Sequence, residues 1–310
     1  MQDQEYQKLS KELKDNLSRL MQKRSNWEAH WQEVANYMLT RRADIVSTKS
    51  RGDKRNVQIF DATAIHALEL LASSLHGSLT SSANRWFSLR FKEAALNDSD
   101  EAKEWLDLVT DKMYIAFNRS NFQQEIFETY HDIIAFGTSC MMIEEDDESI
   151  VRFSSRHIKE IYIEENARGA VDCIYRRFKI TGKAAAEKFG LENLSKESQN
   201  IYKKSMFEDI EFVHVVKPRD IYNPRKLDKK NMPYVSIYFE MESGHIISIG
   251  GFREFPYVVP RYLKASNEIF GRSPGMMVLP DVKVLNKMVE VGLKAAQKQV
   301  DPPLLVPTMQ

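Results

Sequence analysis

Only two of the 310 residues are cysteine, Cys140 and Cys173. Two thiols cannot build a disulfide scaffold, and their spacing fits no metal site, so the pair points to a reducing compartment. Long apolar runs are missing as well. The longest charge-free stretch near the start, Leu70 to Asn84, is 15 residues and rich in serine, too short and too polar to span a membrane. The opening MQDQEYQKLSKELKD is charged throughout and has no secretory-signal pattern. Nor is there an excess of one charge: 44 Lys+Arg offset 44 Asp+Glu. That balance excludes a basic nucleic-acid coat over the whole chain and an acidic disordered tail. No Walker A loop, G-x-G-x-x-G or H-E-x-x-H occurs. What remains, 43% apolar and 28% charged residues, is a globular composition and suggests a soluble intracellular protein of about two domains.

The first forty residues place Leu13, Leu17, Leu20, Trp27, Trp31, Val34 and Met38 at threes and fours, which predicts one long amphipathic helix. Residues 41–56 hold six Lys/Arg against two Asp and read as a basic loop. A second helix is expected after Asp61 as N-cap, with Ile65, Leu68, Ala72, Leu75 and Leu79 on one face. NRWFSLRF (84–91) alternates like a strand. Ser99 would cap a third helix that turns Trp105, Leu108, Val109 and Met113 inward. A fourth, about 121–136, stops at Gly137.

From there the period falls to two. Strands are expected at TSCMMIEE, SIVRFSS, IKEIYIEE, GAVDCIYRRFKI, EFVHVV, YVSIYFEM and HIISIGG, with short helices near 182–190 and 192–204 interrupting them. The fold class is therefore α+β: a helical part over 1–137, then an antiparallel β meander over 138–263 with a helical insertion at 182–204.

A last helix is expected from Gly275 to about Gln299, opened by Ser273-Pro274 and closed by Pro302-Pro303. Lys283, Lys287, Lys294 and Lys298 fall within about 60° of one another on it. Val284, Leu285, Met288, Val289, Gly292, Ala295 and Ala296 occupy the opposite side, and Glu290 can pair with Lys294. The apolar side requires a partner, either another chain or a continuation of this one.

The motifs that carry chemistry elsewhere fail here on physical grounds. GRSPG (Gly271, Arg272, Ser273, Pro274, Gly275) matches the G-x-S-x-G nucleophile elbow, but the residue after the serine must donate a backbone N–H and Pro274 has none. It reads instead as a glycine turn, a serine cap and a proline in the first helical turn. EEDDE (144–148) lacks the spacing and glycine of a calcium loop and reads as a solvated hairpin tip. His66 and His76 lie off one face, and Cys140 reads as core. No metal or cofactor is implied. The basic loop and the lysine row are the candidates for nucleic-acid contact, through phosphate rather than bases.

Three blocks carry a family resemblance. NWEAHWQEVANYMLTRR and IFDATAIHALELLASSLHGSLTSSANRWFSLRF resemble the opening of head-to-tail connector (portal) proteins of short-tailed phages. PYVVPRYLKASNEIFGRSPGMMVLPDVKVLNKM is similar to that family's proline-arginine strand, its FGRSP turn and the start of its stem helix. The resemblance implies a ring, usually of twelve subunits, at one capsid vertex in the virion, assembled in the host cytoplasm. It implies a conduit for double-stranded DNA in packaging and ejection. Its partners would be the capsid protein, the terminase large subunit and a tail adaptor, with no membrane and no catalysis of its own. Residues 1–272 would be the wing, 273–299 the first stem helix and 300–310 the start of the clip. On this view the chain is the N-terminal part of a longer protein. The stem lysines would face the channel, and the apolar side of the stem would pack on neighbouring stems. The other readings are an enzyme with a dispersed site, in a phage or bacterial cytoplasm, and a capsid accessory protein.

Overall fold

Thirty-seven residues without glycine or proline, with leucines at threes and fours, form α1 (Gln2–Met38). Leu13, Leu17, Leu20, Trp31, Val34 and Met38 are buried along it. The computed structural model describes residues 2–47, 52–54, 59–226 and 228–302. α2 (Thr63–Leu79), α3 (Asp100–Arg119) and α4 (Phe122–Phe136) follow. The mainly β part runs β1 (Cys140–Asp146), β2 (Ile150–Arg156), β3 (Ile161–Glu165), β4 (Val171–Thr181), α5 (Gly182–Phe189), α6 (Lys196–Lys204), β5 (Asp209–Pro218), β6 (Tyr234–Glu240), β7 (Ile246–Phe252) and β8 (Tyr257–Val258). The last element is α7 (Pro274–Val300). The fold is α+β with antiparallel sheets.

The strands divide into two sheets. β3-β4-β5-β6-β7 is a five-stranded meander, while β2-β1-β8 is a separate three-stranded sheet. Alternation along the meander decides what covers it. Val213 and Val215 of β5 and Tyr175 of β4 face the first half of α1, where they meet Leu13, Leu17 and Leu20. Phe178 and Phe212, on the other face, pack against Ala185 and Leu194 from the α5–α6 insertion. Arg24 fastens α1 to the sheet: its buried guanidinium donates to the carbonyls of Ile158, Lys159 and Ile161 and lies 3.7 Å over the Tyr162 ring. The largest cluster joins the second half of α1 to α2, α4, β1 and the start of α7.

Several expectations need correction. Residues 84–91 form no strand. Their amides are taken by side chains instead: Trp86 and Phe87 donate to the Tyr114 hydroxyl, Leu89 to Thr110 and Phe91 to Asn97. The alternation is real, but helix α3 and a nearby turn satisfy the backbone where a neighbouring strand was expected. On α3 the inward residues are Leu106 and Thr110, whereas Trp105 and Leu108 are exposed. The α2 cap is shifted: Ala62 occupies the cap position, and the Asp61 carboxylate accepts from Thr63 N. In the basic stretch, residues 48–51 and 55–56 lie outside the described residues. Arg41 and Arg42 are ion-paired with Glu128, and Arg42 also with buried Asp132.

Behind the meander, β5 carries fully buried His214, stacked 3.9 Å from Tyr238 and set between the hydroxyls of Tyr257 and Ser236. Tyr257 belongs to β8, so this imidazole links the two sheets. Burial, then the charges of Lys188, Arg176 and Arg156, hold its pKa well below the usual histidine range. A base depressed on folding contributes nothing above its unfolded pKa and costs stability as pH falls below it. As pH falls below about 6.5 the loss from His214 should approach at most about 1.4 kcal/mol per pH unit. Urea unfolding at pH 7.5, 6.5 and 5.5 should show this slope in the parent and a shallower one in His214→Gln. Equal slopes would refute the assignment.

Candidate functional site

The helix singled out by its lysines is built on a close backbone contact. α4 ends at Gly137, which adopts φ 74°. There it meets Gly271, and a Cβ on either residue would overlap the backbone carbonyl of the other. Gly137 O accepts from Tyr262 N, while Gly271 N donates to the Thr138 hydroxyl at 2.8 Å. Ser273, fully buried, donates through Oγ to Ala135 O and accepts from Met276 N, both at 2.8 Å. It is the N-cap of α7, with Pro274 as the first helical residue. Gly275 lies against Met38 and the carbonyls of Ile134 and Ala135. Arg272 stays outside, paired with Glu268 and placed 4.7 Å over the Trp27 ring. The GRSPG segment is therefore a helix-seating device, and Ser273 has no nucleophile geometry.

Met276, Leu279 and Asn286 continue the buried face of α7. The Asn286 Oδ1 accepts from Phe60 N at 2.7 Å and Asp61 N at 3.1 Å, so α7 positions the chain entering α2. Past Glu290 every residue of the helix is exposed.

The lysines separate along this length. Lys283 reaches Glu33 of α1 at 2.8 Å and belongs to the docked half. Lys287 donates to Glu290 at 2.9 Å, and Lys294 donates to the same carboxylate. These hydrogen bonds, Lys294 first, hold Glu290 below the usual carboxylate range. Lys298 is exposed beyond them. The row runs down the side that carries Met276, Leu279 and Asn286 nearer the amino end. The opposite side is uncovered: Val284, Leu285 and Met288 are 59%, 41% and 67% exposed, and Gly292, Ala295 and Ala296 are open, with Val289 at the margin. Val284, Lys287, Met288, Val291 and Gly292 line a shallow groove there.

Other sequence candidates fall away. EEDDE lies at the β1–β2 turn, where Asp146 accepts from Ser149. Cys140 and Cys173 are buried, and burial pushes both thiols up. Among the described residues no His, Cys, Asp and Glu cluster could hold a metal ion, and no helix is long and apolar enough to cross a membrane. Sequence reasoning missed Glu33 as the partner of Lys283 and Asn286 as a clamp. Glu33 lies one residue before buried Val34, a spacing that gives no hint of a contact with a helix 250 residues away.

The sequence matches, over residues 10–310, the family described as bacteriophage head to tail connecting protein. The chain belongs to this family. It is 31% identical over 301 residues to the portal protein of Salmonella phage epsilon15, covering 96% of this chain and 54% of that protein. It is also 31% identical over 292 residues to the probable portal protein of Bordetella phage BPP-1, covering 93% and 53% respectively. The chain thus spans about half the length of the curated connecting proteins it matches.

The seat of α7 has a measurable consequence. Gly137→Ala forces a side chain into a left-handed backbone and against Gly271. It should destabilise the chain by at least about 2 kcal/mol. Gly292→Ala, with open space around the new methyl, should stabilise it by up to about 1 kcal/mol. Urea denaturation of the two variants checks the contrast; similar values for both would contradict it.

Proposed function

We propose that this chain is the N-terminal part of a phage portal protein, a non-enzymatic ring subunit at one vertex of the capsid. The observation that carries the reading is family membership, joined to a helix whose lower half lies clear of the body with one apolar and one basic side. In a ring, twelve subunits being the family expectation, residues 1–272 form the wing and α7 the first stem helix. Its uncovered side, Val284, Leu285, Met288, Val289, Gly292, Ala295 and Ala296, packs on the neighbouring stem. An apolar strip this exposed on an isolated chain is stabilised by such burial at about 25 cal/mol per Å². Residues 300–310 lead into the clip; of these, 303–310 lie outside the described residues.

Double-stranded DNA passes through the ring during packaging by the terminase large subunit and leaves through it when a tail adaptor has docked. The capsid protein surrounds the ring in the virion, and assembly takes place in the host cytoplasm. Lys287, Lys294 and Lys298 supply rings of positive charge to the channel, and Lys283 marks its upper margin, tied to Glu33. Glu290 between Lys287 and Lys294 limits their grip on phosphate. That suits a conduit, since each further phosphate neutralised raises affinity steeply and would hold DNA still.

Particles assembled without the full-length gene product should be empty of DNA; DNA-filled heads would overturn the portal reading. Within that reading, K287Q/K294Q/K298Q should change packaging rate and packaged genome length, with K283Q changing stability instead. Unaltered packaging by the triple variant would remove the lysines from the channel.

A further inference from the structure

Among the described residues, much of the outer face of α3 is left uncovered. Leu106 and Thr110 are buried on one side of the helix; Leu108 and Ile115, nearly opposite, are 51% and 56% exposed, and Trp105, about 100° round from Leu106, is 55% exposed. Trp105 is held in place by Phe91, its ring stacked at 5.9 Å and 9°. An exposed tryptophan held in place beside further exposed apolar residues is a common anchor of a protein interface. The strip is bordered by acid: residues 93–107 contain six carboxylates and one lysine. Glu101 and Glu104 have no ion pair among the described residues, whereas Asp100 pairs with Lys103 and Asp107 with Arg85.

A complementary surface lies on the loop from β5 to β6. Residues 219–230 contain five Lys/Arg against two Asp. Ile221 is 89% exposed, Tyr222 is exposed beside it, and Arg225 and Lys226 have no ion pair among the described residues. The base of this loop is fixed. Arg219 donates to Met232 O and Gly250 O at 3.1 Å each, and Asn231 donates to Asp228. The tip is thus presented with part of its ordering cost already met.

The two surfaces lie on different parts of the chain. α3 packs on α4 and β2, and β2 is an edge strand of the small sheet. The turn Lys229–Asn231 packs on β7, an edge strand of the meander. Two unlike, complementary patches on one chain make a heterologous contact, which closes into a ring when the rotation allows.

We propose that residues 221–226 of one copy dock on the outer face of α3 of the next, with Ile221 and Tyr222 against Trp105 and Leu108, and Arg225 and Lys226 against Glu101 and Glu104. This contact deepens the ring reading above and rests on it.

The test uses the full-length protein and mass photometry. E101K/E104K alone and R225E/K226E alone should each cut the ring fraction at least about tenfold, and their combination should restore it to within about threefold. Circular dichroism checks that each variant folds. Where a reversal prevents folding, the pair Leu108→Cys with Ile221→Cys decides. Oxidation should give a ladder of cross-linked subunits, because Cys140 and Cys173 are buried, and neither single variant should do so. Normal rings in both reversals, no recovery in a folded combination, or no ladder would overturn this contact while leaving the portal reading intact. A parent protein that forms no ring would overturn both.

Discussion

The architecture turns on one place where no side chain fits. The carboxyl end of α4 and the turn before α7 meet backbone to backbone at Gly137 and Gly271. The carbonyls freed where α4 stops are not left to solvent. Ala135 O accepts from Ser273, the N-cap of α7, and Phe136 O accepts from the Trp31 indole of α1. One helix terminus thereby sets the start of another and fixes the long first helix beside both. Phe270 closes the joint against Trp27 and Trp31. Because this seat is buried and closely packed, the direction in which α7 starts out from the body is set by the fold.

Charge along α7 follows from that direction. The net charge of the chain is zero, yet the average hides separate uses. Arg24, Arg42 and Lys283 are consumed in holding elements together. Lys287 and Lys294 share one carboxylate near the limit of the docked half. An exposed pair of this kind adds little to stability, so its importance lies in placing charge. The same logic separates the acidic rim of α3 from the basic β5–β6 loop.

Much of this was legible in the sequence because local periodicity reports local burial. The heptad-like leucines of α1, the alternating strands, the Gly137 stop and the Ser273-Pro274 start each declare themselves within a few residues. What was not legible depends on contacts distant in sequence. Residues 84–91 alternate as a strand would, but their amides are satisfied by Tyr114, Thr110 and Asn97, which no local pattern could reveal. Trp105 and Leu108 look like core because they are large and helically spaced, and only the packing of Leu106 and Thr110 shows which way α3 turns. The lysine row was visible as a row. That its first member is held by Glu33, and that the row shares its side with the docked residues, required the fold.

On the proposed reading, the uncovered side of α7 is buried between subunits of a ring. An electron cryomicroscopy map of the full-length protein tests this most directly. The expected result is a closed ring with a central hole lined by α7, with Val284, Leu285 and Met288 covered by the neighbouring copy and Lys287, Lys294 and Lys298 facing the opening. A monomeric particle, or a ring whose α7 lies on the outside with those apolar residues in solvent, would contradict it.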